Sequence, residues 1–140
     1  MPCVNQNQQT VVGTNLWSVH CSAGRRKASS CYLGNIMTKA LLAYTTLSSR
    51  DDAAELAKLL LSEKIIACAN IMAEHQALYC DNGAIKQSTE VGMLLKLLPE
   101  QEDRLREALA QHHPYDVPAL LLWHANTTAD FYDFLKASRG

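Results

Sequence analysis

The chain has 140 residues, 48% of them apolar and 19% charged, with a formal net charge of −1. That length suits one domain whose core needs no disulfide or metal staple. No apolar run approaches the roughly 20 residues of a membrane span, and the balance of charge leaves no basic face for sequence-independent nucleic-acid binding.

Residues 1–36 hold Arg25, Arg26 and Lys27 and no acid, so residues 37–140 carry 10 bases against 14 acids. The first segment is aperiodic and rich in Asn, Gln, Ser and Gly, and is expected to bury too little to order itself. Three readings fit it: a start placed upstream of a natural beginning at Met37, a plain disordered tail, or a transit peptide without an amphipathic stripe. The folded domain is therefore set at residues 37–140. Five cysteines (Cys3, Cys21, Cys31, Cys68 and Cys80) form no CxxC pair. An odd count and no secretory apolar segment point to a reducing, cytoplasmic setting.

From residue 39 the pattern is regular. KALLAYTT (39–46) reads as a buried strand. Ser48 or Ser49 caps the helix that follows, with Asp51, Asp52 and Glu55 near its positive end and Ala53, Leu56, Ala57 and Leu60 along one face. Residues 65–80 return to strand character. Asp81-Asn82-Gly83 is a hairpin turn, because Asn-Gly tolerates positive φ. Residues 84–98 form the return strand, with Gly92 a candidate bulge. Pro99 opens a second helix, with Leu105, Ala108, Leu109 and His112 as its apolar stripe. Pro114 and Pro118 end it, 119–125 is a final buried strand, and a terminal helix capped by Thr127 or Thr128 closes the chain.

The order is β-α-β-β-α-β plus a helix. It predicts an α+β fold of the ferredoxin-like plan, an antiparallel sheet with two helices on one face. Hairpin arms of about 16 and 15 residues are roughly three times the usual strand length. Edges that long need a cover, which predicts a homo-oligomer.

QHHPYDVP (111–118) is the stretch with most chemistry in it. Adjacent helical residues point about 100° apart, so His112 and His113 converge on one ion only if Pro114 turns the chain. Imidazole pairs suit copper or zinc; a histidine at a helix C-terminus equally serves the dipole and the last carbonyls. Lys96, inside MLLKLL, together with Tyr115 and Cys68, is the candidate lining of a pocket. Cys68 is expected to be buried, Cys80 exposed, and His75 on the opposite strand face from Cys68. No GxSxG, HExxH or phosphate-cradling loop is present, so no enzymatic activity is expected.

EKIIACANI (63–71), ALYCDNG (77–83), EVGMLLK (90–96), HHPYDVP (112–118) and ADFYDFL (129–135) together resemble the CutA family, the divalent-cation tolerance proteins. The resemblance implies a homotrimer of ferredoxin-like domains whose hairpins complete neighbouring sheets. It also implies binding of copper or another divalent cation through His112 and His113. Copper-binding members add a cysteine where this chain has Tyr44, and phenol replaces a soft thiolate poorly. Other differences fall at Asp81, Leu97 and Ala119. An alternative is a trimeric scaffold akin in fold to the PII signalling proteins, binding a small ligand and no specific metal. An acylphosphatase-like activity on the same fold lacks its phosphate loop.

Overall fold

The structure, a computed structural model, describes residues 38–139. The expectations for residues 1–36 lie outside the described residues. The elements run β1 (Thr38–Leu47), α1 (Arg50–Ser62), β2 (Cys68–Asp81), β3 (Ala84–Leu97), a 3-10 turn (Pro99–Gln101), α2 (Glu102–His112), β4 (Leu121–Thr127) and α3 (Ala129–Ala137). The sheet order is β2-β3-β1-β4, with every pair antiparallel. This is the α+β plan read from the sequence, with the two central strands contributed by β1 and β3.

Alternation assigns the two faces of the sheet. Leu41, Ala43, Thr45 and Leu47 of β1 and Val91, Met93, Leu95 and Leu97 of β3 are buried on one side. Ala53, Leu56, Ala57 and Leu60 of α1 and Leu105, Ala108 and Leu109 of α2 close over them in one apolar cluster. Burying each of the larger side chains is worth about 1.5–3 kcal/mol. The opposite face is only partly covered: α3 packs Leu135 on Ala40 and Leu98, and Phe131 and Tyr132 lie at the margin. Leu42, Tyr44 and Leu94 there remain half-buried.

Local chemistry explains the boundaries. Ser49 caps α1 by accepting the Asp52 amide, and Thr128 does the same for α3 through Phe131. At the other end of α1 the chain turns through Lys64 at φ 56, and the amides of Ile65 and Ile66 both reach the Leu60 carbonyl. These two isoleucines are buried as a plug below the helix end, so β2 starts at Cys68 and not at Ile65. The start of α2 supplies further donors to this corner. Gln101 Nε2 donates to the Lys64 carbonyl at 3.0 Å and Arg104 Nη2 to that of Glu63 at 3.0 Å. A 3-10 turn at Pro99–Gln101 brings buried Gln101 there, so the single helix expected from Pro99 is divided in two.

The hairpin arms are 14 residues each, slightly shorter than expected and still more than twice the usual length. Asn82 and Gly83 turn the corner at φ 51 and φ 78, as the Asn-Gly pair requires. A bulge does occur, but on β2. Ile71 pairs with Met93 and Glu74 with Val91, so Met72 and Ala73 both oppose Gly92. Arg50 Nη1 donates to the Met72 carbonyl at 3.2 Å, occupying an acceptor that the bulge turns out of the ladder.

The bulge corrects the expected separation of Cys68 and His75. They pair with Lys96 and Glu90, two β3 residues an even number apart and so on one face. The extra residue restores parity, although about 20 Å of strand still separates them. The last strand also differs: it begins at Leu121, pairs only with β1, and is an edge. Leu121 is 58% and Trp123 43% exposed, so the expected burial of this strand is not met within one chain.

Candidate functional site

His112 is the last residue of α2, and its expected place in the apolar stripe is not kept. The helix runs past the core there, leaving the ring exposed. It borders a shallow groove against α1 lined by Asp52, Glu55, Leu56, Leu59 and Pro114. Asp52 is held by hydroxyls of Ser48 at 2.6 Å and Ser49 at 2.7 Å, which lower its pKa below the ordinary carboxylate value, the Ser48 bond most. The Asp52 carboxylate therefore stays charged at neutral pH.

His113 faces the other way. The helix ends there in extended backbone at ψ 135, as the following Pro114 favours. Its ring lies over the end of β1, with Nε2 at 3.1 Å from buried Thr45 Oγ1. On the other side of the ring, Nδ1 accepts the Tyr115 backbone N–H at 3.1 Å. Because Nδ1 accepts, the proton of the neutral ring sits on Nε2 and is donated to Thr45. Burial lowers the His113 pKa below the usual imidazole value, and a hydrogen bond with the Thr46 backbone pulls the other way.

That shift sets a pH dependence. The folded state disfavours the proton, so the contribution of neutral His113 is complete above the unfolded pKa of about 6.5 and declines as pH falls from there through the lower folded value. Thermal melts of chelator-treated protein between neutrality and mild acid are expected to show this loss. Replacing His113 with asparagine should flatten it; an equal slope in the variant would assign the loss to other groups.

Tyr115 completes this corner, its ring edge-on to His113 with centroids 5.3 Å apart. Burial first, then the charges of Glu90 and Asp52, raises its pKa above the ordinary phenol value, against a hydrogen bond with Ser48. The phenol is therefore held protonated. Of the residues expected to line a pocket, Lys96 and Cys68 lie together and Tyr115 stands apart from them along the sheet. Lys96 and Cys68 are cross-strand partners, Nζ 3.8 Å from Sγ, on the less covered face. Tyr115 belongs with the end of β1, about 20 Å along that strand from the Lys96 level. Cys68 is half-buried where full burial was expected, and Cys80 is exposed as expected.

Tyr44 also lies on the less covered face, over Gly92. A Cβ placed on Gly92 would meet Tyr44 Oη at 2.8 Å and Cε2 at 3.0 Å. Tyr44 is thus separated by the sheet from His113 on Thr45. Among the described residues no set of three or more His, Cys, Asp and Glu is arranged to hold a metal ion. The two adjacent imidazoles differ in their surroundings: one is solvent-facing, and the other has its lone pair in an internal hydrogen bond. Among the described residues no helix is long and apolar enough to cross a membrane.

Sequence and structure comparisons place this arrangement among known proteins. Residues 41–138 match the family described as CutA1 divalent ion tolerance protein. The divalent-cation tolerance protein CutA of Pyrococcus horikoshii is 41% identical over 81 residues, covering 58% of this chain and 78% of that protein. The CutA of Escherichia coli is 35% identical over 104 residues, covering 72% and 91%. Among solved structures, CutA from Synechococcus elongatus superposes with a TM-score of 0.71 at 32% identity, covering 75% of this chain and 95% of that one. CutA1 from Pyrococcus horikoshii gives 0.67 at 35% identity, covering 70% and 96%. With the fold, the long hairpin and the match over residues 41–138 in agreement, the chain belongs to the CutA1 divalent ion tolerance family.

Proposed function

We propose that this protein acts in divalent-cation tolerance as a cytoplasmic homotrimer, binding copper or another divalent ion without catalysing a reaction. The family match over residues 41–138 carries the cation part of this reading. His112 is the group that meets the ion, because its exposed imidazole makes no hydrogen bond among the described residues and borders a shallow groove whose lining includes Asp52 and Glu55. Among the described residues no three-ligand set stands ready beside it, so this lone imidazole holds an ion loosely, and imidazole suits copper(II) or zinc. Tyr44 supplies no thiolate, so copper(I) is held poorly by this chain.

The trimer rests on apolar surface that a single chain leaves open. Leu78 at 64% and Ile85 at 81% exposure mark the hairpin tip, and Leu121 and Trp123 the β4 edge. Among the described residues both outer strands, β2 and β4, have an unpaired edge. Two such edges at opposite ends of one sheet form a head-to-tail contact that closes into a ring when the rotation allows.

Native mass spectra of the full chain during copper(II) and zinc(II) titration test both parts. The expected result is a trimer that fills to one ion per chain and loses the ions in His112→Ala. A monomer overturns the assembly. A trimer that stays bare overturns the cation reading and favours the second one, a PII-like scaffold for a small ligand, for which His113's occupied nitrogens and Tyr44's packing on Gly92 speak. Raised melting temperatures with nucleotides or small anions would then identify its ligand class.

A further inference from the structure

We infer that His113 is a positioning residue and not the second metal ligand: its ring fastens the turn after α2 to β1 with both nitrogens, and so aims the neighbouring His112 outward alone. The metal half of this inference rests on the reading of His112 as the cation's contact; the clamp itself does not.

A neutral imidazole has one nitrogen lone pair free to accept, and here it lies on Nδ1, where the Tyr115 N–H already points at 3.1 Å. An ion at Nδ1 would leave that amide without its acceptor. An ion at Nε2 would require the proton to move to Nδ1, which would set two donors against each other across the same 3.1 Å and take the Nε2 donor away from buried Thr45. Either route costs a hydrogen bond in a partly buried corner before any metal bond forms. Nothing comparable restrains His112.

The sequence explains why a ring is used here. Pro114 has no N–H, so the first amide after the helix that an Nδ1 acceptor can reach is that of Tyr115, two residues on. This i to i+2 bond is the geometry that asparagine and aspartate side chains make in Asx turns. Histidine makes it while extending a second nitrogen to the adjacent strand. Thr45 sits at the helix-covered face of β1 and is fully buried, so the bond crosses from the end of α2 to the centre of the sheet. The His113–Val117 stretch is thereby held over β1 before the chain enters β4.

Two substitutions separate a clamp from a ligand. His113→Asn keeps an oxygen where Nδ1 was, retains the turn bond and has no imidazole; His113→Ala keeps neither nitrogen's contact. The melting temperature should fall in His113→Ala by about 5–10 °C for a domain of this size, and His113→Asn should recover about half of that loss or more. Zinc(II) stoichiometry in native mass spectra should be unchanged in folded His113→Asn. The 15N chemical shifts of His113 should show the Nε2–H form before and after zinc addition. Loss of zinc from folded His113→Asn, or loss of the Nε2 proton when zinc is added, overturns the inference, as does a melting temperature that alanine leaves unchanged. If the wild-type protein takes up no zinc at all, the cation reading of His112 fails by itself. The tautomer and the recovery by asparagine then decide the clamp.

Discussion

Leu95→Ala is expected to destabilise the protein by an amount near the top of the roughly 2–5 kcal/mol range for leucine truncation in a core. Leu95 is fully buried in β3. Its partner on β1 is Ala43 and its partner on β2 is Ala69. Truncation would therefore set three alanines in a row across the sheet, with no large side chain directly opposite the gap on either neighbouring strand. The cost of a cavity depends on how far its walls can collapse, and here two of those walls have only a methyl to offer. Urea unfolding of the variant, compared with Leu97→Ala beside Leu41, measures the effect; an equal or smaller loss at Leu95 would show that α1 and α2 close the gap instead.

Gly92→Ala is expected to cost about 1–3 kcal/mol as an overpacking change, although it adds one methyl to a strand. The new Cβ would lie 2.8 Å from Tyr44 Oη, 3.0 Å from Tyr44 Cε2 and 3.2 Å from Met72 Sδ. Met72 can adjust, since its thioether is flexible. The tyrosine ring is the harder obstacle, because its edge as well as its hydroxyl must move. Combining Gly92→Ala with Tyr44→Ala should remove most of the penalty, giving a coupling of about 0.5 kcal/mol or more in a double-mutant cycle. Simple additivity of the two changes would show that the glycine is needed for the bulge opposite it and not for the ring above it.

These two positions also show what the sequence makes legible. The spacing of Ala53, Leu56, Ala57 and Leu60 reports one helical face whatever packs on it, and all four are buried as read. Asn82-Gly83 carries its own backbone preference, so the hairpin is readable locally. Gly92 marks the right level for a bulge, but a glycine cannot say which of two strands holds the extra residue. The tyrosine that fills the space above Gly92, Tyr44, comes from a strand distant in sequence. The exposure of the last strand has a related cause. Leu120, Leu121, Leu122 and Trp123 look like a core segment, whereas burial depends on neighbours that one chain does not supply.

The site was legible as residues and not as geometry. Two histidines before a proline suggest convergence on an ion. Whether they converge depends on where the Tyr115 amide falls after Pro114 and on a threonine nearly 70 residues earlier in the chain, since His113 and Thr45 are 68 positions apart. Nothing in the spacing of HHPYDVP encodes that contact. His112 falls out of its expected stripe because α2 runs on past Leu109, its last buried residue, before it ends.

The bulge on β2 gives the hairpin a spare residue. Deleting Met72 or Ala73 would return the pair to simple one-to-one alignment while Glu74 stays opposite Val91 and Asn82-Gly83 stays at the corner. A residue lost elsewhere between Ile71 and the corner can be made good by the same reserve, at the expense of the Arg50 bond to the Met72 carbonyl. Length changes of one residue in this arm thus spare the turn and the return strand. Over evolutionary time the hairpin can shorten by one step without its tip being rebuilt.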